Sequence, residues 1–140
     1  MKDLKSLEIG ILHGGWSAER EISINSGDTV LNCLLENGYK AKLIDLVSEE
    51  IATKEITYEG IDLAFILVHG RGGEDGFLQT FLDKINIPYT GSNALSSKLG
   101  MNKISTKKIW QRSNICSPNF VEFNNNLSLI HISEPTRLHV

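Results

Sequence analysis

Short apolar runs that stop at glycines, alternating with stretches of helical period, predict an α/β domain of three layers with a mostly parallel sheet. Residues 7–13, LEIGILH, form one such run and end at Gly14-Gly15, as a buried parallel strand does. Residues 62–68, DLAFILV, form a nearly continuous apolar run of the kind a central parallel strand needs. Between them the period changes. Gly27, Val30, Leu31, Leu34 and Leu35 fall at helical spacing from about residue 22 to 37, and Gly38 stands where a left-handed C-terminal cap belongs.

The remaining elements follow in order. Residues 41–46 read as a second strand and residues 48–60 as a polar stretch. After the strand at 62–68 comes HGRGGEDG, residues 69–76, a loop that is half glycine. Phe77, Leu78, Phe81, Leu82 and Ile85 then mark one face of a helix. Ile87-Pro88-Tyr89 reads as a short strand, and Gly91-Ser92-Asn93 as a turn into another helical stretch. A further helix runs from Asn102 to about Ser113, and Pro118-Asn119-Phe120-Val121 begins an extended segment. No internal repeat is present.

Composition narrows the function class. At 140 residues, 41% hydrophobic and 22% charged, the chain has the make-up of one globular domain. A formal charge of -3 gives no basic footprint, so nucleic acid is not an expected partner. No apolar run reaches the roughly 20 residues of a membrane helix, and the start, MKDLKSLEIG, lacks the apolar stretch of a signal peptide. Cys33 and Cys116 have neither metal-ligand spacing nor a disulfide framework and are expected as partly buried thiols. The expectation is a cytoplasmic protein with no membrane partner.

Two glycine-rich loops fall at the carboxyl ends of predicted strands, HGGWSAEREIS (residues 13–23) and HGRGGEDG. In an open parallel sheet that edge is where ligands bind. Neither loop matches a phosphate-binding pattern, since GxGxxG and GxxxxGK[ST] are both absent. Their polar residues suit a small zwitterion instead: Glu19, Arg20 and Glu21 in the first, His69, Arg71, Glu74 and Asp75 in the second. A carboxylate facing a cleft can bind an ammonium group, and an imidazole beside a second carboxylate can be held in one tautomer. A plainer reading stands beside this one. Ser17 can be a helix N-cap with the acidic groups favoured by the helix dipole, and Arg20, Arg71 and Asp75 can be structural charges. Taken alone, these residues specify a small-molecule site at the carboxyl edge of a sheet.

HGGWSAEREISINSG, LVHGRGGEDGFLQTFLD, IPYTGSNALSSKLGMNK and KKIWQRSNI together resemble the D-alanine–D-alanine ligase family, in order and at its spacing, over residues 8 to about 121. The resemblance implies a Rossmann-like domain of the kind that precedes an ATP-grasp, with a mostly parallel sheet flanked by helices. It also implies the ligation of two D-alanines to D-alanyl-D-alanine through an acyl phosphate, at the expense of ATP, for peptidoglycan synthesis. Carried over residue by residue, Glu19 binds the ammonium of the first D-alanine, His69 contributes to the same subsite, Glu74 supports His69, and Lys103 reaches the ATP phosphates. Mg2+ (or Mn2+) accompanies ATP in the family, with its ligands beyond residue 126, so no metal ligand is assigned here. A homodimer is the expected assembly. Trp16 stands where many members have threonine, and Asn102 where many have aspartate. A D-alanine–D-lactate ligase would share these motifs, and a stand-alone Rossmann-like binding module is the reading from outside the enzymes.

The expected organisation is a substrate-binding domain over residues 1–122 and the start of a linker to the ATP-grasp at 123–126. Residues 127–140 are expected as a non-native tail. Within it, LSLIHISEPTR at 127–137 continues no earlier period and resembles the conceptual translation of a transposon-end sequencing adapter. On this reading the polypeptide alone has no ligase activity.

Overall fold

The computed structural model describes residues 3–121, so the segments at 122–140, including the adapter-like stretch, lie outside the described residues. After a single 3-10 turn at Leu4–Ser6, the chain runs β1 (Glu8–Gly14), α1 (Arg20–Glu36), β2 (Lys40–Leu46), α2 (Glu49–Tyr58), β3 (Leu63–Ile66), α3 (Phe77–Lys84), α4 (Ala94–Met101) and α5 (Lys103–Arg112). The strands form one parallel sheet in the order β2-β1-β3, with Glu8 opposite Lys40 and Ile9 opposite Leu63. Parallel neighbours need crossovers, and α1 and α2 supply them.

β1 is central and buried along nearly its whole length, which is why its sequence is apolar without alternation. Successive residues of a strand point to opposite faces. Leu12 joins Ile44, Leu46 and Ala64 in a core with Ala52 and Ile56 of α2 and Leu78 and Leu82 of α3. On the other face His13 lies against Gly27 of α1, where an added Cβ would come within 3.0 Å of the imidazole. Gly27 is thus the helix position that lets α1 close on the sheet. At the end of α1, Gly38 takes φ +78 and its N–H donates to the Leu35 carbonyl, the expected left-handed cap.

Three expectations need correction. The polar stretch at 48–60 is a helix, α2, capped by Ser48, whose Oγ accepts from the Ile51 N–H, with Glu49 and Glu50 in its first turn. The expected strand at Ile87-Pro88-Tyr89 is reduced to one parallel bridge, Ala64 to Tyr89. Ala64 N–H donates to the Pro88 carbonyl and Thr90 N–H to the Ala64 carbonyl, but proline has no N–H with which to extend the ladder. Cys33 and Cys116 are both exposed rather than partly buried. Among the described residues no helix is long and apolar enough to cross a membrane.

Candidate functional site at the carboxyl edge of the sheet

β1 and β3 both end at the same edge of the sheet, so the loops that follow them are neighbours. Two serines join them. Ser23, fully buried in the first turn of α1, accepts from the Gly14 N–H at 2.9 Å and donates to the Leu67 carbonyl at 2.7 Å. Ser17 donates to the His69 carbonyl at 2.9 Å and accepts from the Glu19 N–H at 3.1 Å. Ser17 is therefore not the helix cap; it ties one loop to the other. The residue at the N-cap of α1 is Glu19, and its side chain makes no capping bond.

That leaves the Glu19 carboxylate turned toward the second loop. A Cβ at Gly70 would lie 2.9 Å from Glu19 Oε2, so the carboxylate rests on the backbone next to His69. His69 Nδ1 stands 3.6 Å from Glu74 Oε1, an approach that is longer than a hydrogen bond and becomes an ion pair when the imidazole is protonated. Glu74 is placed by its own N–H, which donates to the Gly70 carbonyl at 2.9 Å. The structure thus lays the Glu19 carboxylate on the loop that carries the His69–Glu74 pair.

Arg20, Arg71 and Asp75 serve the fold. Arg20 makes a two-pronged pair with Asp45, Nη1 to Oδ1 at 2.9 Å and Nη2 to Oδ2 at 2.7 Å, and also donates to the Gly15 carbonyl. The hydrogen bonds from Arg20 hold the Asp45 carboxyl below its ordinary value and raise the guanidinium in turn. Arg71 pairs with Glu49 at the surface. Asp75 accepts from the Gly72 and Phe77 N–H groups, tying the loop to the start of α3.

A cavity of about 500 Å³ opens beside the second loop, lined by Val68, His69, Glu74, Thr90, Ser96 and other residues of the β3 exit and α4. That size suits a small-molecule site. Thr90 belongs to its wall because its Oγ accepts from the Ile66 N–H. Glu19 is not among the lining residues. Lys103 stands apart from the other three: it is the exposed first residue of α5 and lines a second hollow, about 350 Å³, with Thr106, Lys107 and Trp110. Only Gly100 lines both. A cation at a helix N-terminus opposes the helix dipole at a cost of several tenths of a kcal/mol, while the two together attract an anion. Asn102 caps α5 through Oδ1, which accepts from the Ser105 N–H, as the aspartate common in the ligases would. Among the described residues no three His, Cys, Asp or Glu side chains gather as a metal site.

Sequence reasoning did not find Thr90, Gln79 or the joining role of Ser17 and Ser23. Gln79 is buried, and its Nε2 donates to the Gly73 carbonyl at 2.6 Å, stiffening the second loop from beneath. Gln79 lies off the apolar face marked by Phe77, Leu78, Phe81, Leu82 and Ile85, so the helical period gave no signal of its burial.

Parallel sheet, flanking helices and paired loops at the carboxyl edge define an α/β domain of the Rossmann-like class. Residues 46–92 match the family model described as "D-ala D-ala ligase N-terminus". The chain is 42% identical over 118 residues to the D-alanine–D-alanine ligase of Carboxydothermus hydrogenoformans, covering 84% of this chain and 37% of that one. With the enzyme of the same name from Geotalea uraniireducens it shares 49% over 113 residues, covering 81% and 36%. Among solved structures, the D-alanine–D-alanine ligase of Bacillus anthracis complexed with ATP superposes with a TM-score of 0.78 at 35% identity, over 89% of this chain and 43% of that one. The chain belongs to the D-alanine–D-alanine ligase family and corresponds to its N-terminal part. It spans little more than a third of the length of the curated relatives it matches.

Proposed function

We propose that this polypeptide is the amino-acid-binding lobe of an ATP-dependent ligase that joins two D-alanines for peptidoglycan synthesis. The observation that carries the reading is the Glu19 carboxylate, which makes no capping bond and rests on Gly70 beside the His69–Glu74 pair. An ammonium group placed there meets one carboxylate directly and a second through the imidazole, so the amino end of the first D-alanine is fixed in position and its carboxylate is free for activation. These residues act by positioning, which by itself supplies a large share of the acceleration in a two-substrate reaction. No nucleophile from the protein is called for.

Activation of a carboxylate by ATP gives an acyl phosphate, which the amino group of the second D-alanine attacks with loss of phosphate. Lys103, on the α5 N-terminus, is the residue here suited to a phosphate, and one lysine does not make a nucleotide cradle. The metal ion and the rest of the nucleotide site belong to the part of the protein beyond residues 1–122, which we take as the substrate-binding domain, with the ATP-grasp following it. The working enzyme is proposed to be a cytoplasmic homodimer.

The test is a titration of the chain with D-alanine followed by 1H–15N NMR. D-Alanine should shift the amides of Glu19, Gly70 and His69 in a saturable way, Glu19→Gln should weaken the effect, and L-alanine should be the poorer ligand. Equal, non-saturating shifts with both enantiomers would remove the reading.

A further inference from the structure

Trp16 lies in the first loop, three residues ahead of Glu19, and its ring reaches across to the second. A Cβ at Gly72 would sit 2.3 Å from Trp16 Cζ2, so the indole lies directly on the Gly72 backbone, between His69 and Glu74 in the chain. Gly72 has φ +94, a conformation that suits glycine, and its bare Cα is what leaves room for the ring. The far side of the indole meets the Phe77 ring edge to face, with centroids 5.8 Å apart and planes at 88°. Trp16 also packs against the hydrophobic core beneath. Its Nε1–H is buried and has no acceptor among the described residues, so the ring is held there by shape and apolar contact rather than by a hydrogen bond.

We propose that Trp16 is a positioning residue for the amino-acid site: its ring sets the separation between Glu19 and the His69–Glu74 pair. Ser23 joins the loops at Gly14 and Leu67 and Ser17 joins them at the His69 carbonyl, so both ties lie at or before His69, on the strand side of the second loop. The indole supplies a further point on Gly72, midway along the second loop between His69 and Glu74. Trp16 is not among the residues lining the cavity, so it acts through the groups it holds. The inference rests on the reading of Glu19 and His69 as the ammonium subsite.

The experiment compares the wild-type chain with Trp16→Thr and Trp16→Phe by NMR of the His69 imidazole and by D-alanine titration. Trp16→Thr removes the ring contact and should both move the His69 ring resonances and weaken D-alanine on the order of ten- to a hundred-fold, as expected for a misplaced binding group. Trp16→Phe keeps a ring over Gly72, loses no hydrogen bond, and should fall near the wild type in both. Phe77→Leu approaches the same contact from the other side and should reproduce the direction of Trp16→Thr if that variant folds poorly. His69 resonances and D-alanine affinity unchanged in a folded Trp16→Thr chain would overturn the proposal. Should the wild type fail to bind D-alanine while Trp16→Thr still moves the His69 resonances, the positioning role stands and the substrate reading falls.

Discussion

The sheet with its loops and the α4–α5 pair are built in opposite ways. Ile11, Leu12, Leu46, Ile56, Leu78 and Leu82 are wholly buried in the first region. Neither α4 nor α5 buries a single residue, and Leu95, Met101, Ile109 and Trp110 are left exposed on them. The candidate site divides along the same line. Glu19, His69 and Glu74 sit on loops anchored to a packed core, whereas Lys103 sits on the region without one. A group that must grip a small amino acid gains from a rigid seat, since about 1 Å of misplacement can cost a hundredfold. A lysine that meets a phosphate as a point charge needs less.

Stability measurements can break this comparison most directly. Leu12→Ala should cost about 2–5 kcal/mol by urea denaturation, because it opens a cavity in the core. Ile109→Ala, 40% exposed, should cost about 1 kcal/mol or less. Equal losses would show that the two regions are not built differently.

Binding measurements sharpen it. Glu19→Gln should cost about 1.5–3 kcal/mol in D-alanine affinity, the range for a hydrogen bond to a charged group. Lys103→Ala should leave D-alanine affinity where it is, as calorimetry on the two variants would reveal. D-Alanine-dependent phosphate release by the 140-residue chain is expected to be absent, and a phosphate assay checks it.

The smallest effect concerns acid. Asp45 is held below its ordinary value by hydrogen bonds from Arg20, so the pair stabilises the fold above the unfolded carboxyl value of about 4. That contribution is lost as pH falls from there through the lower folded value. Both side chains are partly exposed, 33% and 45%, so Asp45→Asn should cost no more than about 1 kcal/mol at neutral pH. The difference from wild type should shrink below about pH 4, which thermal melts across pH can follow.

The fold was legible where burial is two-sided. β1 is a nearly continuous apolar run because both faces of the sheet are covered there, whereas β3, expected as a central strand from its apolar run, stands at the end of the order β2-β1-β3 and is largely half-buried. α2 was not legible, since among its described side chains Ala52 and Ile56 alone join the core, too few to set a visible period. Ser48 followed by two glutamates was the available signal. The bridge at Tyr89 was over-read because its hydrogen bonds depend on Ala64 alone. For the site, residue types indicated a zwitterion-binding edge, and only the resemblance to the ligases singled out Glu19 from Glu21 and His69 from His13. The chemical reason lies in placement: Arg20 and Asp75 are as polar as their neighbours but are consumed by Asp45 and by backbone N–H groups. Which charges are consumed depends on contacts between residues distant in sequence, such as Arg20 with Asp45, and local pattern does not carry these.

Ser23 joins the Gly14 amide to the Leu67 carbonyl through one buried hydroxyl. Kinematically it is a weld. The loop bearing Glu19 and the loop bearing His69 are joined at their roots, so neither leaves the sheet edge without the other, while the spacing farther out is what we assign to the Trp16 contact on Gly72. On the proposed reading, the sheet edge is then a seat whose root does not move, and any closure over the amino acid comes from outside these two loops.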